Sequence, residues 1–166
     1  GMDLAIDYLY QSGYRRIGCL IGSSKTGNPE IRKQAIIDSL ASKNLPSDET
    51  YVRSATPEQF IEEVGKLLRE NIDSLFCPGG DAGIIAAYAL SLYNKKIPDD
   101  IALIASERSM VSRYCVPAQT TISQDYPALV KAVVDLIDAG VEQAKQPVTP
   151  PLPYKLILRD SVKRKK

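Results

Sequence analysis

Histidine is absent from the 166 residues, so every mechanism that needs an imidazole is excluded, including Ser/His/Asp and Cys/His hydrolysis and most zinc catalysis. Cysteine is scarce. Cys19, Cys77 and Cys115 form an odd set with no metal-ligand spacing, which argues against a disulfide framework or a zinc knuckle and suits a reducing compartment. Long apolar runs are missing too: the longest, Ile84 to Leu90, falls far short of the roughly 20 residues that a membrane helix needs, and no charged-then-apolar leader opens the chain. A cytoplasmic protein with no membrane partner is expected, unless a leader was removed. Charge of one sign is also lacking, since Lys+Arg 21 against Asp+Glu 20 leaves a net +1 and no overall electrostatic reason to bind DNA, RNA or anionic lipid. What remains, 44% hydrophobic and 25% charged, matches one ordinary globular domain or two small lobes. Gly1 before Met2 reads as the scar of a cleaved tag, which would place the gene's own start elsewhere.

The periodicity is that of alternating helices and strands. Met2, Ala5, Ile6 and Leu9 make an amphipathic stripe that stops at Gly13. Ile17 to Gly22 is a short apolar run ending in a Gly/Ser loop, a buried strand. Asn28 caps a helix with Pro29 in its first position and Ile31, Ala35, Ile36 and Leu40 on its buried side. Tyr51 to Ser54 gives a second strand. Thr56 to Gln59 reads as a capping box with a proline at the first helical position, ahead of a face of Phe60, Ile61, Val64, Leu67 and Leu68. Ile72 to Cys77 makes a third strand, Ile85, Tyr88, Ala89 and Leu92 a helical stripe, and Ile101 to Ala105 a fourth strand.

Strands separated by single helices require right-handed crossovers and a parallel sheet covered on both faces, so the fold class is α/β, a doubly wound parallel sheet. Pro117 to Gln124 is extended and looks like a crossover segment. Asp125 caps a further helix, with Pro127 in its first turn and Val130, Val133, Val134, Ile137 and Val141 as its stripe. Gln146 to Pro153 must be loop, and Tyr154 to Arg159 a last edge strand.

Ligands of such sheets sit beyond the carboxyl ends of the strands. The loops expected there are Ser23 to Gly27, Ser54 to Thr56, Pro78 to Gly83 and Ser106 to Arg113. Arg32 lies one turn into its helix, where its charge opposes the helix dipole, and it is either a fork for ligand hydroxyls and carboxylates or a solvated side chain paired with Glu30. Asp81 is a natural N-cap, and capping leaves one carboxylate oxygen for a ligand hydroxyl. Gly79 to Gly83 lacks both the G-x-G-x-x-G and the P-loop spacing, and an Asp at the helix mouth repels phosphate. Glu107 and Arg108 end the fourth strand as an acceptor and a donor, or as a surface ion pair. Cys77 and Cys115 read as inert small hydrophobes, and Lys163 to Lys166 as a solvated basic tail.

Several segments, in this order, resemble the effector-binding core of LacI/GalR-type transcription repressors, which has the type I periplasmic-binding-protein fold. Tyr14-Arg15-Arg16-Ile17 is similar to the family's G-H-x-x-I, with Tyr14 where His is usual. Arg32 falls at the effector-contacting Arg of R-x-x-G-F, with Ala35 and Ile36 in place of Gly and Phe. Gly80-Asp81 stands at the family's N-D pair, and Ile97 to Ile104 is close to I-P-x-D-I-x-V-I. Ala105-Ser106-Glu107 falls where G-F-D is usual, Pro117 with Thr120-Thr121-Ile122 resembles P-x-L-T-T-V followed by an effector-contacting position at Gln124, and Arg159-Asp160-Ser161 resembles the closing R-x-S.

The resemblance implies the C-terminal lobe of such a core. Residues 1–118 would form the effector-binding lobe, 119–149 a crossover strand and helix belonging to a missing N-terminal lobe, 150–162 a returning edge strand and 163–166 a basic tail. It further implies a non-catalytic sensor for a sugar or sugar-like effector, with Arg32, Asp81, Glu107 and Gln124 around one cleft, and Arg32 between two carboxylates. No metal or cofactor is implied. DNA would be bound only through a missing N-terminal domain, and the unpartnered helix after Asp125 predicts a homodimer. The rival readings are an extracytoplasmic sugar-binding protein of a transporter and, more distantly, a doubly wound enzyme binding a phosphorylated substrate at Gly79 to Gly83.

Overall fold

The computed structural model describes residues 1–22, 29–138 and 152–165. The expected Asn28 cap, the loop at Ser23 to Gly27, and the calls on Val141, Gln146 to Pro151 and Lys166 lie outside the described residues. The elements run α1 (Met2–Gln11), β1 (Ile17–Gly22), α2 (Pro29–Ala41), β2 (Val52–Ala55), a 3-10 turn (Pro57–Gln59), α3 (Phe60–Arg69), β3 (Ser74–Cys77), α4 (Ala82–Leu92), β4 (Ala102–Ser106), α5 (Met110–Tyr114), β5 (Thr120–Gln124), α6 (Tyr126–Asp138) and β6 (Tyr154–Ile157). They build one six-stranded sheet in the order β2-β1-β3-β4-β5-β6. β1 to β5 pair in parallel and β6 joins β5 antiparallel.

Successive strand residues feed opposite faces. Ile17, Cys19, Ile21, Phe76 and Ile104 meet α1 and α2 on one side, whereas Leu20, Leu75, Cys77 and Leu103 meet α3 and α4 on the other. Both layers are buried at the central strands, which is why β1, Leu75 to Cys77 of β3 and Ala102 to Ala105 of β4 read as apolar runs without alternation. Thr56 donates its backbone N–H to Gln59 Oε1 at 3.1 Å, so the capping box forms, although on the 3-10 turn that leads into α3.

Three expectations need correction. Thr120–Gln124, read as crossover, is the fifth parallel strand of this sheet. Ile31 is exposed, because Ile36, Ser39 and Leu40 supply the buried side of α2. On α4 Tyr88 and Leu92 face solvent, and the buried face is Ala82, Gly83, Ala86, Ala89 and Leu90. Small residues let this helix lie close on the sheet: a methyl group at Gly83 would overlap the side chain of Ala105. An apolar helix with little periodicity therefore packs by size, not by hydropathy.

The segment after β6 ties back to the middle of the sheet. Ser161 Oγ donates to Leu103 O at 2.5 Å and accepts the Thr120 N–H at 2.8 Å, while Leu103 N–H donates to Ser161 O at 2.9 Å. Ser161 is fully buried. Ser161→Ala should lower stability by about 1–3 kcal/mol by stranding two buried backbone groups, as urea denaturation followed by circular dichroism would measure.

Candidate functional site

Because β1 to β5 are parallel, each following loop or helix start lies at the same carboxyl end of the sheet. Arg32 in the first turn of α2, Asp81 before α4, Glu107 after β4 and Gln124 at the end of β5 therefore share that end. The chain order reverses between β1 and β3, the topological switch point where such sheets bind ligands, and Arg32 and Asp81 stand beside it. A methyl group at Gly79 would lie 3.4 Å from Arg32 Nη1, so Arg32 reaches over the loop that follows β3. That loop is fixed to the next one by the Gly79 N–H, which donates to Ser106 Oγ at 2.8 Å. Gly79 at φ +101 and Gly80 at φ +43 make the turn that brings Asp81 round.

Asp81 occupies the N-cap position but its side chain caps nothing. It pairs instead with Arg108, Nε to Oδ1 at 2.9 Å, with the two side chains 59% and 50% exposed. Arg108 is in turn anchored by its backbone N–H on Ser112 Oγ at 2.9 Å. Arg32 pairs with neither Glu30 nor a carboxylate among the described residues, so the expected arrangement of Arg32 between two acids is not formed.

Glu107 does not pair with Arg108. Its carboxylate faces the Arg159 guanidinium through Oε2 to Nη1 at 2.9 Å and Oε1 to Nη2 at 3.1 Å, and it also accepts the Thr121 hydroxyl. Arg159 Nη1 donates further to Gln119 O at 2.6 Å. The two side chains are 9% and 14% exposed. Burial works to raise the Glu107 pKa, but the hydrogen bonds from Arg159 and Thr121 and the charge of Arg159 outweigh it and hold the carboxyl below its ordinary value. Cys19 and Cys77 are fully buried, and burial raises both thiols far above the reactive range.

Beside this pair, between the ends of β4, β5 and β6, opens a cavity of about 620 Å³. Glu107, Arg108, Arg113, Gln124, Lys155 and Arg159 supply its ionic and amide groups, and Met110, Val111, Pro127 and Ile157 its apolar surface. Gln124 Nε2 reaches the Tyr154 hydroxyl at 3.3 Å across the rim. Arg32 and Asp81 do not line this cavity; Asp81 is joined to it through Arg108. Arg113, Lys155 and Arg159 were missed as site residues by sequence reasoning. Arg159 carried a signal in the R-x-S motif, whereas Lys155 arrives only through the antiparallel register that sets it opposite Ser123. Among the described residues no group of three or more His, Cys, Asp and Glu side chains is placed to hold a metal, and no helix is long and apolar enough to cross a membrane.

The periplasmic binding protein-like domain, taken as a family, matches residues 6–162. The chain belongs to this family. Relatives of this periplasmic-binding-protein-like chain include the ribose operon repressor of Lactococcus lactis, 25% identical over 169 aligned positions that cover 100% of this chain and 52% of the relative. The HTH-type transcriptional repressor PurR of Yersinia pestis is 29% identical, with 98% of this chain and 49% of the relative covered. Among solved structures, a sugar-binding transcriptional regulator of the LacI family from Escherichia coli, complexed with phosphate, superposes with a TM-score of 0.81 at 22% identity, over 99% of this chain and 60% of that one. The LacI-type resemblance carried by the motifs is thus borne out, and so is the fold class. The chain spans about half the length of the curated relatives it matches.

Proposed function

We propose that this chain is the effector-sensing lobe of a LacI/GalR-type transcription regulator, closing on a small sugar-like molecule together with a second lobe outside it. The observation that carries this reading is the cavity at the carboxyl end of the sheet, rimmed by Glu107 and Gln124 and linked through Arg108 to Asp81 at the switch point. Arg32, Asp81, Glu107 and Gln124 form the effector-binding set in this reading, with Gln124 facing the ligand, Asp81 aiming Arg108, Glu107 held rigid by Arg159, and Arg32, outside the cavity itself, reaching over the Gly79 loop at the switch point to meet the part of the ligand that extends beyond it. A ligand that contacts both lobes favours the closed state by its differential affinity, and closure sets the DNA affinity of headpieces carried elsewhere in the protein. The chain catalyses nothing, meets DNA only through an N-terminal domain outside it, and works in the cytoplasm. In this reading the chain leaves the lobe after β5 and returns at β6. The face of α6 formed by Val130, Val133, Val134 and Ile137 is exposed, and an apolar stripe of that kind supports a homodimer in which it docks on a neighbouring chain.

A gel-shift titration of the whole gene product tests the proposal. Its effector should change operator affinity by about tenfold or more, Arg32→Ala should abolish that response while sparing DNA binding, and the present chain alone should give no sequence-specific shift. A normal effector response in the Arg32→Ala protein, or a specific shift by this chain alone, overturns the reading.

A further inference from the structure

The cavity is rich in donors and poor in acceptors. Among the described residues its lining carries Arg108, Arg113, Lys155 and Arg159 against a single acid, Glu107. That acid is already engaged: both its oxygens face Arg159, and one also takes the Thr121 hydroxyl. Arg159 is engaged in return by Glu107, Gln119 O and Thr121, so the two charges cancel inside a well-shielded pair. Arg108 is tied to Asp81, but in an exposed pair that water weakens. Arg113 and Lys155 have no ion-pair partner among the described residues, which leaves the wall with a net positive charge.

A neutral sugar needs carboxylate or amide oxygens to accept its hydroxyl protons, and among the described residues this wall offers only the Gln124 amide oxygen and a Glu107 carboxylate with little acceptor capacity left, against three cationic side chains free to donate or held only in an exposed pair. An oxyanion has the opposite need. We propose, on the basis of the effector-site reading above, that this cavity takes a small molecule bearing a compact oxyanion, a phosphate ester or a carboxylate, which meets Arg108, Arg113 and Lys155 while the remainder of the molecule lies over Met110 and Pro127. The cavity of about 620 Å³ is within the range of small-molecule sites and accommodates a monosaccharide derivative. This anion position is separate from the Gly79 to Gly83 loop, where Asp81 guards the mouth of α4. It depends on two side chains, Arg113 and Lys155, brought together from α5 and β6.

An amide-resolved NMR titration of this chain with a glucose phosphate ester, gluconate and glucose tests the proposal. At about 50 mM salt the phosphate ester should shift the amides of Ser109 and Gln124 and bind at least about tenfold more tightly than glucose; at about 500 mM the preference should shrink to about twofold. Gluconate that follows the ester supports the general oxyanion class, and gluconate that follows glucose narrows the ligand to phosphate. Arg113→Gln combined with Lys155→Gln should erase the preference without changing the unfolding transition, since both side chains are exposed. Glucose binding as tightly as the anions, with shifts at the same amides, overturns the oxyanion assignment and leaves the effector site standing. If none of the three ligands moves those amides, both the assignment and the site reading fall.

Discussion

Replacing Arg159 with alanine is expected to lower the unfolding free energy by about 3–5 kcal/mol at neutral pH, the usual cost of removing one partner of a buried ion pair and stranding the other. Glu107 would then keep only the Thr121 hydroxyl and the Ser109 backbone N–H, with no opposing charge, in a setting where its side chain is 9% exposed. The pH dependence separates this cause from lost packing. A carboxyl whose folded pKa is depressed, as that of Glu107 is, contributes stability that is fully present above its unfolded pKa and is lost as pH falls through the folded value. The wild-type chain should therefore lose this increment in acid, whereas the Arg159→Ala chain has already lost it. The gap between the two should narrow from neutral pH toward about pH 3. Urea denaturation followed by circular dichroism provides the measurement, and tryptophan fluorescence cannot, since the sequence has no tryptophan. A gap that stays constant into acid would assign the loss to packing of the Arg159 side chain.

The second large effect is at Gly83, where substitution by alanine should destabilise the chain by about 2–3 kcal/mol as an overpacked contact between a helix and a strand. The added methyl would overlap the Ala105 side chain on β4 and crowd Gln119 Oε1, and Gln119 is the residue whose Nε2 donates to Gly83 O at 2.9 Å. Neither neighbour can yield, because Ala105 and Gln119 are both buried. Gly65 in α3 provides the control. There the added methyl would meet the hydroxyl end of Tyr93, an exposed side chain that can swing aside at the cost of one exposed hydrogen bond to Ile61 O. Gly65→Ala should accordingly be neutral or stabilising by up to about 1 kcal/mol, from the better helix propensity of alanine. Equal losses at the two positions would show that the close approach of α4 to β4 is not what makes Gly83 costly to change.

The sheet and its two helical layers were legible because apolar runs and helical stripes are local patterns. β1 has the limits its apolar run predicts, and β2 to β4 begin one or two residues later than theirs. The stripe on α4 was misread for a physical reason: Ala and Gly carry little hydropathy, yet they set how closely a helix can approach a sheet. The four candidate residues were legible as members of one end of the sheet, since parallel topology alone determines that. Their partners were not. That Glu107 would find Arg159 and not Arg108 depends on a separation of 52 residues and on the antiparallel register of β6, neither of which leaves a local trace. Arg113 and Lys155 escaped notice for the same reason, since single basic residues on a short helix and an edge strand read as solvated until the tertiary fold sets them on one wall.

The bonds between Ser161 and Leu103 join residues 58 positions apart, and β4 lies at the centre of the sheet. A ribosome that has just finished β4 has therefore made a strand whose Leu103 N–H and C=O have no native partner until residue 161 clears the exit tunnel. At about 5–20 residues per second that wait lasts several seconds, during which β1 to β4 can assemble but the last backbone groups of β4 remain open to water or to a neighbouring nascent chain. Completion of β4 thus waits on the segment that follows β6. Nascent chains paused between β4 and Ser161 should be the population that engages chaperones, and a strong pause introduced there should lower the soluble yield more than one placed before β3.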